Sequence, residues 1–343
     1  MDMINRAEVE HLATPHKWGR QVVQGSGIAG SFDEKGVDCP FVFYHNDLFH
    51  MMYIGFNGEG YQTALATSSN LIDWEFQGLM LERSETSHWD HVGAAGSWIL
   101  LESADLYTLP KLKKIDNKYW MIYHAYPQVG YESGGAVMGL AWCEDELLLN
   151  WHRLEQPVFT YEQGAEWEQG GLYKCCVIEA QDQYWMFYNA KEKAEWPWKE
   201  ETGVAVSEDL IHWTRTEENP LMTVKDDSFF SQYYSDPCIK HDGQRWVNFG
   251  FGFDGKHAQG ALALSNDLLH WDSLPEPWIP IGGPGELDEI HAHKSSVIYW
   301  QDTLYHFYCA CRPAKTGDPA TIEYNDNYRE FRCITVATSK KLD

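Results

Sequence analysis

Apolar and polar positions alternate through most of the chain in short runs separated by turns, the period of β-strands with one face buried. The runs recur as a unit. A strand, a turn carrying Asp or Asn, and an aromatic-rich strand appear as FVFYHNDLFHMMYIGF (41–56), KLKKIDNKYWMIYHAY (111–126), CVIEAQDQYWMFYNAK (176–191) and CIKHDGQRWVNFGFGF (238–253). Each is followed by a strand of small residues, a polar turn and a Trp, at 64–76, 139–153, 203–215 and 261–273, with Trp74, Trp151, Trp213 and Trp271 at its end. A fifth hairpin, SVIYWQDTLYHFYCAC (296–311), leads into RCITVATSKKLD (332–343). That segment matches QTALATSSNLID (62–73) and stops where the Trp strand would come. HKWGRQVVQ (16–24) has the missing character, with Trp18 standing where Trp74 stands.

Four short strands make a sheet with two apolar faces that is not stable alone. Stacking such sheets radially buries both faces and leaves few edges. The repeat therefore predicts an all-β fold, a five-bladed β-propeller forming one domain over 1–343. Its expected blades are 25–81, 98–159, 170–222, 233–280 and 290–343, the last closed by the N-terminal strand 16–24.

Composition narrows the chemistry. Lys+Arg 26 against Asp+Glu 51 gives a formal charge of −25, which repels nucleic-acid phosphates and anionic membranes. No signal-peptide pattern opens the chain and no run of 18 apolar residues occurs, so a cytoplasmic location is expected. The eight cysteines lie mostly in apolar strands without zinc-site spacing and are expected as buried thiols. Aromatic residues are abundant: 16 Trp, 19 Tyr and 15 Phe. Their faces serve cores and sugar rings alike.

In a radial array the first strand of each sheet is innermost, and its start lines the channel mouth. Alignment on the aromatic strands places Asp38, Thr108, Tyr173, Asp236 and His293 there, with Asp105, Lys174, Glu286, Asp288, Glu289 and His291 nearby in sequence. Asp38 and Asp236 each read alone as turn-capping carboxylates. Together, in one slot of two repeats facing one axis, they would shift each other's proton affinity as acid–base sites do. His291 and His293, two apart on a strand, share a face. Either can be a packed core histidine; one could donate a proton, or the pair could help hold a divalent cation, with His291 as a ligand. No cofactor is otherwise required. Arg312 could meet a substrate hydroxyl or form an outer ion pair. In the long connections Trp89, Trp98, Trp167, Phe230 and Tyr233 are candidates for sugar stacking, or for packing beneath a loop.

With the hairpin and the Ser-x-Asp-Leu-x-x-Trp repeat (SEDLIHW, 207–213; SNDLLHW, 265–271) covering nearly the whole chain, the sequence resembles the five-bladed propeller glycoside hydrolases, the broad group of families 32, 43, 62, 117 and 130. Against families 32 and 43, Asp38 matches the first-blade base or nucleophile. The second slot holds Thr108, with Asp105 the nearby carboxylate, and the third reads YKCC, with Lys174 where a Glu would stand. The family 117 layout, on blades one, four and five, is similar to Asp38, Asp236 and His293 with Glu286 or Glu289 behind. The resemblance implies an exo-acting, inverting glycoside hydrolase acting on a short oligosaccharide. Asp38 is then the base, Asp236 orients substrate and tunes the acid, and His293 or Glu289 donates the proton. Two alternatives stay open. One is a phosphorylase of the family 130 kind, with Lys174, Lys294, Arg312 and His291 holding phosphate. The other is a non-catalytic sugar-binding propeller. A rim loop from a second copy in a homo-oligomer could complete the pocket.

Overall fold

The computed structural model describes residues 4–85, 87–325 and 328–342; the expected end of the last blade, residue 343, lies outside them. Strands dominate, and only single 3-10 turns at Arg6–Glu8, Glu10–Leu12 and Glu166–Glu168 interrupt them among the described residues. In the first sheet Gly36–His45, Leu48–Phe56, Tyr61–Ser68 and Glu75–Leu81 pair in sequence order. The second joins Ala95–Ile99, Lys118–Ala125, Val137–Cys143 and His152–Arg153. The third joins Gly171–Ala180, Gln183–Lys191, Glu200–Ser207 and Thr214–Arg215. A fourth, in shorter pieces, runs from Tyr233–Ser235 to Asp272–Ser273. In the fifth, His291–Trp300, Thr303–Pro313 and Tyr328–Thr338 pair in order, and the last also takes His16–Lys17 and Val23–Gln24, with His16 opposite Thr338 and Val23 opposite Ile334.

Local chemistry explains the repetition. Four hairpins turn on two successive residues with positive φ: Asn46-Asp47 (46° and 61°), Asp116-Asn117 (51° and 62°), Gln181-Asp182 (53° and 61°) and Gln301-Asp302 (47° and 56°). This is the type I′ turn whose twist matches the strands it joins. The Ser-x-Asp-Leu-x-x-Trp motif is a cap around a strained residue. Leu71, Leu210 and Leu268 have φ of 67°, 67° and 72°, costly for a side chain with a Cβ. In each copy the Ser hydroxyl accepts the Leu N–H at 2.9 Å (Ser68, Ser207, Ser265). The Trp indole N–H closes the turn on the Leu carbonyl, at 3.1, 2.8 and 2.9 Å for Trp74, Trp213 and Trp271.

The inner strands carry the feature that builds the site. Their starts are bulged, with register shifts between Asp38 and Phe41, Gly96 and Trp98, Tyr173 and Cys175, and His293 and Ser296. Cys39, Lys174, Asp236 and Lys294 have positive φ there. A bulge re-aims side chains at a strand end. Thr108 is not in this series. The second sheet's inner strand is Ala95–Ile99, and a long excursion parts it from Lys118–Ala125, so counting back across a tight turn lands on the wrong segment. Two parallel contacts, Glu200 with Tyr233 and Ala258 with His291, join the third sheet to the fourth and the fourth to the fifth. All eight cysteines are buried and free. No helix among the described residues is long and apolar enough to cross a membrane.

Candidate active site

A cavity of about 660 Å³ opens where the third, fourth and fifth sheets meet. Trp196, Trp198, Tyr233 and Phe253 form one aromatic wall, and Tyr131, Tyr324 and Tyr328 stand among its other lining residues. Trp196, 58% exposed, is its outermost ring. It meets Trp198 edge-on at 5.2 Å, while Trp198 lies parallel to Tyr233 and Tyr233 packs on Phe253 at 4.7 Å. Five carboxylates line the same space, Glu132, Glu200, Asp236, Glu323 and Glu330, against two cations, Lys294 and Arg332.

The carboxylates differ in state. Glu200 is buried; its Oε1 accepts the Trp198 indole N–H at 2.7 Å and its Oε2 accepts the Ser235 hydroxyl at 2.9 Å. Burial, offset in part by Lys191 and reinforced by the charge of Glu132, raises its pKa to about 7. Asp236 is raised too, chiefly by burial. Its Oδ1 accepts Asn189 Nδ2 at 2.6 Å, and its Oδ2 is buried with no partner among the described residues. Glu132 goes the other way. Burial would raise it, but Lys294 and Lys191, 3.5 and 3.7 Å from its oxygens, hold it below the usual carboxylate range. Its backbone is left-handed, φ 48°, in the loop after the second sheet's aromatic strand, where strain marks a functional position.

Several expected roles change. Asp38 is 2% exposed and saturated: Oδ1 accepts the Cys39 N–H at 2.9 Å and the Cys309 thiol, while Oδ2 accepts Lys294 Nζ at 2.8 Å and Arg332 Nη1. Burial opposes its ionisation, but those two cations prevail and hold it well below the aspartate range. A carboxylate with every acceptor position filled and so low a proton affinity is a poor base; Asp38 clamps Lys294 and Arg332. His293 does line the cavity, with Nδ1 facing the Cys309 carbonyl at 3.3 Å. Burial, then Arg332 and Lys294, push its pKa well down, so it stands neutral and is no imidazolium acid. His291 is likewise held down to about 4, mainly by burial, and its Nδ1 accepts the Ala258 N–H at 3.0 Å. Among the described residues no three His, Cys, Asp or Glu side chains stand close enough together to hold a metal ion.

Other candidates lie elsewhere. Glu289 accepts the Gly285 N–H at 2.7 Å in its own turn, and Asp105 accepts that of Tyr107 at 2.7 Å; neither lines the cavity. Arg312 is held bidentate by Asp318 at 2.7 and 2.8 Å and lies over Phe331. Trp98 packs on Phe41 at 4.6 Å, Trp167 on Tyr188, Trp89 on Tyr123 and Phe230 on Tyr234. These are core contacts. Lys174 is buried, donating to the Ser97 carbonyl at 3.2 Å, and does not line the cavity. Tyr173, Tyr233 and Asp236 do line it.

A family model described as "Glycosyl hydrolases family 32 N-terminal domain" matches residues 110–280. A 1,2-beta-oligomannan phosphorylase of Thermoanaerobacter sp. (strain X514) is 26% identical over 164 residues, covering 46% of this chain and 44% of that protein. The match thus spans under half of that curated relative. A solved complex of BT0996 and RGII superposes with a TM-score of 0.81 at 27% identity, covering 98% of this protein and 95% of that one. Another solved structure, described as "Glycoside hydrolase", does so with a TM-score of 0.80 at 27% identity, covering 99% and 96%. The chain belongs to the propeller glycoside hydrolase superfamily.

In this propeller glycoside hydrolase the residues that sequence reasoning missed lie on third strands and in rim loops, not on inner strands. Glu200 opens the third strand of its sheet, where the corresponding positions hold Tyr61, Ala136, Ala258 and Phe331. It is the one charged residue in that series, a signal available in the repeat. Arg332 follows Phe331, one position on, where Gln62 follows Tyr61. Glu132 lies in a loop outside every repeat and had no such signal.

Proposed function

We propose that this propeller hydrolyses a glycosidic bond in the cavity between the third, fourth and fifth sheets, with Glu200 as the proton-donating acid and Glu132 as its ionised partner. One observation carries the reading: two carboxyl groups in one cavity are driven to opposite protonation states by their surroundings, which is how acid and base roles are divided at neutral pH. Glu200 protonates the leaving oxygen, and Glu132 assists attack at the sugar carbon from its ionised state. Asp236, protonated or sharing a proton through Ser235, is placed to hold a substrate hydroxyl. The aromatic wall suits the apolar face of a sugar ring. A walled pocket of this size fits the end of a short oligosaccharide, in keeping with exo-action.

Hydrolysis is favoured over phosphorolysis by charge. A phosphate dianion needs free cations, and both cations of the cavity are committed, Lys294 to Asp38 and Glu132 and Arg332 to Asp38 and Glu330. Sugar release from a panel of aryl glycosides and oligosaccharides, with and without inorganic phosphate, tests this. Equal turnover without phosphate is expected; an absolute phosphate requirement would reverse the assignment.

The five sheets are read as blades of one ring, with 16–24 supplying the outer strand of the last. Deleting residues 1–24 uncovers the edge of Tyr328–Thr338 and is expected to lower the melting temperature sharply or to give insoluble protein. An unchanged melting temperature would refute ring closure by this segment.

A further inference from the structure

Behind the aromatic wall stands a cation that the proposed chemistry has not used. Lys191 ends the second strand of the third sheet and is 1% exposed. Its Nζ lies 4.0 Å from the centre of the Trp198 ring, 5.0 Å from that of Tyr173 and 5.3 Å from that of Tyr126. Aromatic faces attract an ammonium, more strongly where water is excluded. Glu132 completes the cage: Nζ donates to its carbonyl at 3.4 Å and stands 3.7 Å from its Oε2. The indole of the same Trp198 donates to Glu200. At the corresponding position of the other sheets stand Phe56, Tyr126, Gly252 and Cys311, so the packing of the repeat does not ask for lysine here.

We propose that Lys191 is a positioning residue for both carboxylates: from behind the wall it fixes Glu132 through carbonyl and carboxylate, and steadies the Trp198 ring from which Glu200 takes its hydrogen bond. The inference rests on Glu132 and Glu200 being the reacting pair. One cation then serves two unequal neighbours. Glu132 has Lys191 and Lys294 against it, with Asp38 and Arg332 beyond, and stays ionised. Glu200 has Lys191 alone as a cation, opposed by burial and by Glu132, with Tyr173, Tyr233 and the Ser235–Asp236 pair around it. Removing the ammonium raises the proton affinity of both carboxylates.

Lys191→Met keeps the apolar stem and removes the charge. The protonation of Glu200 is read without turnover, from the infrared carboxyl band that Glu200→Gln lacks; the pH profile of kcat/KM is the second readout. Lys191→Met is expected to move the band midpoint and both limbs of the profile to higher pH by about 1 unit, the lower end for an opposite charge at this range. Lys191→Arg should bring them back toward the parent. Should Lys191→Met not fold, Lys191→Gln replaces it in the same measurement. A folded uncharged variant with an unmoved midpoint overturns the proposal. Full turnover by Glu200→Gln would instead sink the assignment of the reacting pair, whatever the band does in Lys191→Met.

Discussion

Asp38 and Glu200 are both buried carboxylates near one axis, yet they are built for opposite ends. Asp38 receives two cations, a thiol and a backbone N–H. Glu200 receives an indole and a hydroxyl, and its nearest cation sits behind an aromatic ring. Burial disfavours charge on both. At Asp38 two ion pairs overcome it and leave a permanent anion; at Glu200 they do not, and the proton stays until about pH 7. The lesson is that the partners around a buried carboxyl, not its place in a repeat, decide whether it serves structure or proton transfer.

The largest way to break the contrast is to remove one oxygen's acidity at each site. Glu200→Gln is expected to lower turnover on a poor leaving group by on the order of 10²–10⁴, with a melting temperature within a few degrees of the parent. Asp38→Asn should do the reverse in kind. It leaves Lys294 and Arg332 buried with too little counter-charge, a defect that costs about 3–5 kcal/mol and reads as a large fall in melting temperature. A stable but inactive Asp38→Asn would restore Asp38 as the base and end the distinction.

A smaller effect sharpens it. Unfolded glutamate titrates near 4.5, whereas folded Glu200 holds its proton to about 7. Between those values the folded chain binds more protons than the unfolded one, so this group's contribution to stability falls as pH rises across that window. The contribution of Asp38 is fully present above the ordinary aspartate value of 3.8 and is lost only as pH falls through its much lower folded value. Melting temperature followed against pH should lose its decline between about pH 4.5 and 7 in Glu200→Gln, and lose part of its acid-side collapse in Asp38→Asn. Activity should decline above about pH 7 as Glu200 ionises. A decline that Glu200→Gln leaves in the melting curve would assign it to another group.

The strand pattern was legible because each repeat obeys local rules: Asn and Asp in I′ turns, and Ser, Leu and Trp around one left-handed residue. The pairing of 16–24 with 333–338 was legible for the same reason, since the repeat stops short of a strand. The site was less so. Asp236, Tyr173, Tyr233 and His293 stand in the cavity because the first-strand register holds in sheets three to five. It fails in sheet two, where an excursion replaces a tight turn and Thr108 inherits a false equivalence. Glu200 and Lys191 were visible as charged exceptions within aligned positions, had every strand been compared. Glu132 depends on a loop that folds over the third sheet, a tertiary placement with no period in sequence.

The backbone of Glu200 pairs in parallel with Tyr233, and its N–H donates to the Gln232 carbonyl at 3.1 Å, so this residue belongs to the seam between two sheets. The aromatic residues that would choose the sugar sit further out: Trp196 projects from the connection between strands, and Tyr131 from the loop that carries Glu132. Inheritance can therefore act on the two layers separately. Lengthening or trading rim segments alters which sugar is admitted while the seam holds the proton donor in register. A shift of one sheet against its neighbour disturbs the donor and leaves the selecting rings almost untouched.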